Sequence, residues 1–457
     1  MTWLALLAIP AAVCAVGSLY NEPIRPQFHF CAKANWLNDP NGLVYYKGQY
    51  HLFFQHNPLS VDWGNLTWGH AVSSDLVHWT ELEPAIHPDE LGDIYSGSAV
   101  VDWQNTSGLK KGDEKPICAF YSAAGKPFTQ CLAYSTDSGK TFSKYEKNPV
   151  VPHIAGENRD PKVFWYAPGK HWVMALYLDG DEYAILNSAD LIHWTQVSSL
   201  HFPKDGECPD LFELPVDGDA KNMKWVFVAG TGSYLIGSFD GKTFRPESGP
   251  FVGDYGEHYY ATQSYNDIPA ADGRRIQITW MRGGLYPNMP FNQQMNFPCQ
   301  CTLKTFPDGI RMCRVPVHEI EKLWTKDHKW SDAAITSGDN LLSGIKNELV
   351  DIDATIDLAD ADEVGFKLHG QTVAYVVKDQ TLTALGRSAK LTPIDNRLSL
   401  RILLDRNSVE VYADQGRVVI SNCVVPGDDH SIELYTKGGK ARIVSMHVHE
   451  LKSAWQQ

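Results

Sequence analysis

The sequence is short of positive charge and of long apolar segments. It has 54 acidic residues against 40 Lys and Arg, and a formal net charge of -14 at pH 7. A surface of this sign repels phosphate backbones and anionic lipids, which argues against nucleic acid and membrane surfaces as partners. The apolar run at residues 3–16 is too short to span a bilayer and ends in small residues, like an export signal. We therefore predict a signal peptide at 1–18, no membrane insertion, and a secreted or periplasmic location.

Cysteine pairs with metal-binding spacing are also lacking. The nine cysteines include no CxxC motif, which argues against a zinc site. Eight cysteines remain if Cys14 leaves with the signal, and an even number permits disulfides. Cys118 and Cys131 flank a predicted hairpin and are candidates for a disulfide. For most of the cysteines we expect buried free thiols instead.

Segments with sustained helical periodicity are lacking, and short apolar stretches alternate with Gly, Pro, Asn and Asp. Residues 49–55, 172–178 and 225–229 are typical of strands, and the pattern predicts an all-β protein. A Ser/Ala-Asp-Leu-Val/Ile-His-Trp sequence at 74–79 recurs at 189–194, with looser copies around Asp137 and Asp240. The marker aspartates at 75, 137, 190 and 240 are 62, 53 and 50 residues apart. That period is typical of propeller blades, and a further strand set near 275–281 suggests five blades. The alternative is a set of similar turns in an unrelated all-β fold.

Tryptophan becomes scarce in the last third of the chain: ten of the 14 lie between Trp36 and Trp280, and only Trp455 follows Trp330. The charged segment 326–329 is predicted to be a connector between two domains. Beyond it, strands at 398–404, 409–412 and 418–421 alternate as in a sandwich. We predict a β-propeller catalytic domain at 25–324 and a β-sandwich at 331–457.

Three motifs place an acid near a proline and a predicted strand: Trp-Leu-Asn-Asp-Pro-Asn-Gly at 36–42, Asn-Arg-Asp-Pro-Lys at 158–162 and Gly-Glu-Cys-Pro-Asp at 206–210. Each motif is expected to precede the strand. Each acid alone could cap a turn, but three similar motifs in a propeller indicate a shared pocket. Two carboxyl groups with different pKa values can cleave a glycoside. We expect Arg159 to keep a neighbouring Asp ionised, and apolar neighbours to raise the pKa of Glu207.

These three motifs together resemble glycoside hydrolase family 32, the invertases, inulinases and levanases. The similarity continues at 53–58, 63–70, 95–98, 260–264 and 400–412. It implies a five-bladed propeller followed by a sandwich, a retaining mechanism, and no metal or organic cofactor. It also implies that Asp39 forms a fructosyl-enzyme, Glu207 is the acid/base, and Asp160 stabilises the transition state.

The same resemblance suggests a fructose pocket of hydroxyl-binding groups beside aromatic faces. The candidates for substrate contact are Asn38, Gln55, Trp63, Ser96, Arg159 and Trp280. Two positions depart from the common pattern: Tyr95 replaces Phe, and His258 replaces an Asp on the leaving-group side. The segment 280–294 looks more like bacterial levanases than plant invertases, so levan or inulin is favoured over sucrose, with exo action.

Three other functions stay open. A fructosyltransferase would use the same acids, with a sugar hydroxyl in place of water. A non-catalytic fructan-binding propeller would be expected to lose at least one acid, and all three are present. A furanosidase or xylosidase of a related propeller family is more distant, because the Asp-Pro-Asn-Gly and Glu-Cys-Pro-Asp sequences argue against it. The sequence specifies no oligomeric state.

Overall fold

The computed structural model describes residues 20–455, so the predicted signal peptide at 1–18 lies outside the described residues. The described chain is built almost wholly of strands, which confirms the all-β prediction. No helix in this part of the chain is long and apolar enough to cross a membrane.

The first three sheets each contain four consecutive antiparallel strands. In the first sheet these are β1 (Asn35–Tyr46), β2 (Gln49–Asn57), β3 (Thr67–Ser73) and β4 (Thr80–Ile86). In the second they are β5 (Asp93–Val101), β6 (Ile117–Ala124), β7 (Thr129–Ser135) and β8 (Ser143–Lys144). In the third they are β9 (Arg159–Tyr166), β10 (His171–Asp179), β11 (Glu182–Ser188) and β12 (Thr195–His201).

The fourth sheet has eight strands in two sets of four. The first set is β13 (Asp210–Val216), β14 (Asp219–Val228), β15 (Tyr234–Phe239) and β16 (Phe244–Phe251). The chain continues with β17 (Tyr260–Ser264), β18 (Arg275–Trp280), β19 (Phe291–Asn292), β20 (Cys299–Phe306) and β21 (Gly309–Pro316). Strand β19 is not part of this sheet, because it pairs in parallel with β1 of the first sheet. The second set of four is therefore β17, β18, β20 and β21. The two sets are joined by a single bridge, Val216 to Leu303. Because they share one sheet, the count of five blades stays a prediction.

The repeated aspartates occupy the same place in four strand sets, the turn between the third and fourth strands. Asp75 lies between β3 and β4, Asp137 between β7 and β8, Asp190 between β11 and β12, and Asp240 between β15 and β16. The Oδ1 atom of each accepts backbone N–H groups from the residues that follow it. These bonds hold the turn, which explains why the sequence repeats there.

The C-terminal part begins after a 3-10 helix, His318–Leu323, and forms a sandwich of two sheets, as predicted. The six-stranded sheet contains β22 (Trp324–Ile335), β23 (Val350–Asp357), β28 (Arg397–Asp405), β29 (Ser408–Ala413), β30 (Val418–Cys423) and β32 (Ala441–Leu451). The five-stranded sheet contains β24 (Glu363–Leu368), β25 (Gln371–Val376), β26 (Thr381–Ala384), β27 (Arg387–Lys390) and β31 (Ile432–Lys437).

The connector predicted at 326–329 is wrong, because these residues lie inside β22. Lys326 pairs with Glu450 and Lys329 pairs with His447, both on β32. Strand β22 is at the edge of its sheet, where charged side chains are common because they block pairing with other chains. The charge run therefore marks an edge strand and not a linker.

The disulfide proposed between Cys118 and Cys131 is also wrong. Cys118 pairs with Tyr134 and Cys131 with Tyr121, so the two thiols are not opposite each other. They face different apolar cores on the two sides of the sheet. All eight cysteines within residues 20–455 are free thiols.

A buried ionic network joins the N-terminal segment to the sandwich. His29 Nδ1 lies 2.7 Å from Asp405 Oδ2, and His29 Nε2 lies 2.7 Å from Glu410 Oε2, with all three side chains fully buried. Asp405 also accepts the backbone N–H groups of Gln27 and Phe28. Removing one partner of a buried ion pair leaves uncompensated charge.

The His29→Ala variant is therefore expected to lose about 3–5 kcal/mol of unfolding free energy. Urea unfolding at pH 6 measures this. The control is His193→Ala, because His193 also pairs with one aspartate but its side chain is 85% exposed. An equal loss in the two variants would contradict the role given to the buried network.

The same network gives stability a pH dependence of known sign. Burial lowers the pKa of His29, but Glu410 and Asp405 outweigh burial and raise the pKa to about 9. The ordinary histidine pKa is about 6.5. The stabilisation is therefore full below about pH 6.5 and is lost as the pH rises through 9. We expect a fall in the wild-type urea midpoint across this range, and a smaller fall in His29→Ala.

Candidate active site

The three predicted acids come from three different sheets. Asp39 lies in β1, Asp160 lies in β9, and Glu207 lies in the loop before β13. The expectation that each motif precedes its strand is wrong for the first two motifs, because their acids lie inside β1 and β9. Irregular pairing allows this: the register between β1 and β2 shifts between Leu37 and Pro40. This irregularity accommodates Pro40 in the strand. It also leaves Asp39 without a paired residue on β2.

The backbone around two of the acids is in the left-handed region that side chains disfavour. The φ angles are 64° at Asp160, 62° at Glu207 and 42° at Cys208. Each such residue costs about 1–3 kcal/mol and persists only where surrounding contacts hold it. Here the Asp160 N–H donates to Ser122 Oγ at 2.9 Å, and the Tyr183 hydroxyl donates to the Glu207 carbonyl at 3.0 Å. Strain of this kind concentrates at functional sites.

Cys208 brings the acids of the first and third sheets together. Its backbone N–H donates to Asp160 Oδ2 at 3.0 Å. Its thiol lies 3.5 Å from Asp160 Oδ2 and 3.8 Å from Asp39 Oδ2. The carboxylates of Asp39 and Asp160 thus contact one thiol, and the neighbouring residue in the chain is Glu207.

Asp39 is held by two neighbours. Ser96 Oγ donates to Asp39 Oδ2 at 2.5 Å, and Asn38 Nδ2 donates to Asp39 Oδ1 at 3.1 Å. Burial raises the pKa of Asp39, and the bonds from Ser96 and Asn38 oppose this rise. The two donors therefore orient the carboxylate and favour its ionised form.

Glu207 is held by Arg159 and Tyr260. Arg159 Nη2 donates to Glu207 Oε1 at 2.5 Å, and the Tyr260 hydroxyl donates to Glu207 Oε2. Burial raises the pKa of Glu207, but these two donors outweigh burial and lower it. Asp160 behaves oppositely: burial raises its pKa to about 7, although Arg159 opposes the rise.

The pKa shifts inferred from sequence are therefore wrong in direction. Arg159 was expected to keep an Asp ionised and apolar neighbours to raise the pKa of Glu207. In the structure the Arg159 guanidinium turns to Glu207, and Asp160 is the more buried acid. Tyr260, in the matched segment 260–264, was not a predicted site residue and is a direct partner of Glu207.

Most predicted substrate contacts lie around the three acids. Asn38 is adjacent to Asp39 and accepts from Trp36 Nε1 at 2.7 Å. Gln55 is buried on β2 opposite the irregular stretch of β1, and in residues 20–455 neither of its amide atoms has a hydrogen-bond partner. An unpaired buried amide is costly unless a ligand satisfies it. Ser96 and Arg159, in contrast, already bond to Asp39 and Glu207.

The two predicted tryptophans differ in setting. Trp280 is half-buried beside Tyr260 and Trp36, with centroid distances of 6.4 Å and 6.1 Å. Its Nε1 donates to Gln293 at 3.0 Å. This bond fixes the Trp280 ring next to Tyr260, which donates to Glu207. Trp63 is 56% exposed and contacts Tyr95 edge to face. Its exposed ring can pack on a sugar face.

His258 replaces the aspartate that the family resemblance implies, and it bonds to the sandwich. The backbone N–H of Cys423 donates to His258 Nδ1 at 3.1 Å. Burial lowers the pKa of His258. One nitrogen of this residue is thus used in contact with the second domain.

The Ser96→Ala variant is expected to shift the acidic limb of the pH dependence of kcat/KM upward by about one pH unit. The Ser96 hydrogen bond favours the ionised form of Asp39, a bond to a charged group contributes about 1.5–3 kcal/mol, and one pKa unit corresponds to about 1.4 kcal/mol. The pH profile of the glycoside cleavage that the sequence predicts, followed as fructose release from sucrose, measures the shift. Ser73→Ala is the control, because buried Ser73 donates to Asp75 away from the acids. An unchanged limb in Ser96→Ala would refute this assignment.

Two family models match nearly the whole described chain. They are the glycosyl hydrolases family 32 N-terminal domain, over residues 29–314, and the glycosyl hydrolases family 32 C terminal, over residues 319–450.

Individual proteins agree with the family models. A levanase from Bacillus subtilis (strain 168) is 39% identical over 97% of this chain and 73% of its own length. An extracellular exo-inulinase from Aspergillus niger (strain ATCC MYA-4892 / CBS 513.88 / FGSC A1513) is 30% identical over 99% of this chain and 100% of its own length. The crystal structure of an exo-inulinase from Aspergillus awamori superposes with a TM-score of 0.86 at 28% identity, covering 95% of this chain and 100% of that chain.

Proposed function

The chain belongs to glycoside hydrolase family 32 and is a glycosidase, and we propose that it releases fructose from β-fructans by a retaining mechanism. Levan or inulin is the proposed main substrate and sucrose a smaller one, with exo action. Relatives named levanase and exo-inulinase support this substrate class. The observation that carries the proposal is that the carboxylates of Asp39 and Asp160, from two sheets, both contact Cys208, the residue that follows Glu207 in the chain.

In the proposed mechanism, Asp39 attacks the anomeric carbon of the terminal fructosyl unit and forms a covalent ester. Glu207 donates its proton to the glycosidic oxygen as the bond to the anomeric carbon breaks. Glu207 then takes a proton from water, which displaces Asp39 and releases fructose. Ser96 and Asn38 orient the attacking carboxylate throughout.

Asp160 is proposed to bind sugar hydroxyls and to stabilise the positive charge that develops on the ring. Burial raises the pKa of Asp160 to about 7. Hydroxyls that donate to Asp160 favour its ionised form. The ionised carboxylate is the form that stabilises the positive charge of the ring.

Substrate contacts are proposed for Gln55, Asn38, Trp63 and Trp280. The unpaired amide of Gln55 can bond to hydroxyls, and the tryptophan rings can pack on apolar sugar faces. Ser96 and Arg159 are proposed to act mainly by holding Asp39 and Glu207. No metal or organic cofactor takes part in the proposed steps.

We also propose that the protein is secreted or periplasmic. The apolar run at residues 3–16 and the extracellular exo-inulinase relative support this location.

The proposed substrate class is tested with purified protein and levan, inulin and sucrose in parallel. Free fructose as the main early product, with faster release from levan or inulin than from sucrose, is the expected result. Release of fructo-oligosaccharides from inside the polymer would contradict exo action. Growth of oligosaccharides at high sucrose, with little free fructose, would favour a transferase.

A further inference from the structure

Three side chains with metal-binding atoms meet on the outer part of the sandwich, between β22 and β32. They are Asp327 on β22 and His447 and His449 on β32. Asp327 is directly opposite His449, and His447 lies two residues away on the same strand. Because alternate residues of a strand share a face, both imidazoles stand on one face of the sheet.

The distances between the ligand atoms suit a single small cation. Asp327 Oδ1 lies 3.4 Å from His449 Nδ1 and 3.5 Å from His447 Nδ1, and the three atoms all lie within 4.8 Å of one another. Zinc bonds to nitrogen and oxygen are about 2.0–2.2 Å, so tetrahedral ligand atoms are about 3.3–3.6 Å apart. Two of the three separations already have this value.

His449 gives a second and independent indication. Its side chain is only 9% exposed, and in the described part of the chain its Nδ1 atom has no hydrogen-bond partner. Asp327 is close to this nitrogen, but the pair makes no hydrogen bond of acceptable geometry. Buried polar atoms normally have a partner, and a metal ion bonded to Nδ1 would satisfy this one.

The His449 ring is also held in place. Trp324 stacks on it with a centroid distance of 3.5 Å and an interplanar angle of 4°. Trp324 Nε1 donates to Asp351 Oδ2 at 3.2 Å, which fixes the indole in turn. Such outer contacts orient a ligand before the metal arrives.

Two neighbouring cations, Lys329 and Arg401, oppose metal binding, and Arg401 is paired with Asp351 at 2.8 Å. Lys329 Nζ lies 2.8 Å from Asp327 Oδ2, but the ligand atom of Asp327 is the other oxygen, Oδ1. The Lys329 side chain is 64% exposed and is free to turn into solvent. On the other side of β32, Asp353 on β23 is the register partner of His447 and adds an acidic residue to this part of the sheet.

A second triad, Asp181, Glu182 and His201, lacks these features. All three of its side chains are at least 42% exposed, and His201 Nδ1 already bonds to Glu182 at 2.9 Å. It therefore serves as a comparison for the first triad.

We propose that Asp327, His447 and His449 bind one Zn²⁺ ion, with water completing the coordination. Imidazole ligands suit zinc and other late divalent transition metals. The ion would join the edge strand β22 to β32 and stabilise the sandwich. The ion takes no part in fructoside hydrolysis. The zinc site and the proposed function are therefore tested separately, and failure of one does not affect the other.

The experiment is zinc titration calorimetry on the full chain, without a histidine tag and after treatment with a chelator. One equivalent of Zn²⁺ is expected to bind to wild type and to raise its unfolding temperature. Affinity is expected to fall at least about ten-fold in His447→Ala and in Asp327→Asn, since each loses one ligand. His201→Ala is the matched control and keeps wild-type affinity, whereas Lys329→Ala binds more tightly.

The His447 side chain is 42% exposed, so its replacement is not expected to disturb folding, and circular dichroism checks this. Asp327→Asn is a second variant that keeps the side-chain shape. Absence of zinc binding to wild type would overturn the proposal. Unchanged affinity in both ligand variants, or loss of binding in His201→Ala, would also overturn it.

Discussion

The Asp39→Asn variant is expected to lose fructose release from sucrose and inulin by about 10⁴-fold or more, as other enzymes do when they lose the nucleophile. Asparagine keeps the shape of the side chain and can still contact Ser96, but its amide does not form the fructosyl ester. Asp160 bonds to the Cys208 N–H and is held on β9, so it does not take the place of Asp39. Initial rates by fructose detection measure the loss.

Two further measurements separate loss of chemistry from loss of structure. Binding of an inulin oligosaccharide to Asp39→Asn, by calorimetry, is expected to stay within about ten-fold of wild type, since the other sugar contacts remain. Asp75→Asn is the control, because Asp75 is a turn aspartate on the first sheet. Retention of more than a tenth of wild-type activity in Asp39→Asn would refute the nucleophile role.

The Glu207→Gln variant is expected to lose about 10²–10⁴-fold in kcat on sucrose, the usual contribution of a general acid or base. The alkoxide leaving group of sucrose needs a proton, and glutamine has none to give. A fructoside with a nitrophenol leaving group needs little protonation. Its first step is therefore expected to be much less impaired, which a stopped-flow burst of nitrophenol measures.

The matched control is Glu213→Gln, an exposed glutamate on β13 that lies in the strand following Glu207. It is expected to behave as wild type on both substrates. Equal losses of the two first-step rates in Glu207→Gln would show that Glu207 does not protonate the leaving group. A wild-type kcat of Glu207→Gln on sucrose would show that Glu207 takes no part in the mechanism.

The sequence predicts the fold class and makes three acids candidates for one site, for physical reasons. The aspartate turns at 75, 137, 190 and 240 repeat because each holds the same hairpin of a strand set. Asp39, Asp160 and Glu207 stand in short contiguous motifs, so they are visible without coordinates.

Features that depend on side-chain direction or pairing register are not visible in the same way. The position of the Arg159 guanidinium decides which acid has the lowered pKa, and the sequence places Arg159 next to Asp160 and not next to Glu207. Register decides that Cys118 and Cys131 face different cores. The triad of Asp327, His447 and His449 combines residues about 120 positions apart, which only sheet pairing brings together.

The central claim is double displacement through a fructosyl-Asp39 ester, and hydrolysis in the presence of methanol tests it most directly. Methanol competes with water for the intermediate and gives a methyl fructoside whose anomeric configuration is stable and can be read by NMR. The account predicts methyl β-fructofuranoside from wild type on sucrose and none from Asp39→Asn. A methyl α-fructofuranoside, or undiminished β-product from Asp39→Asn, would contradict it.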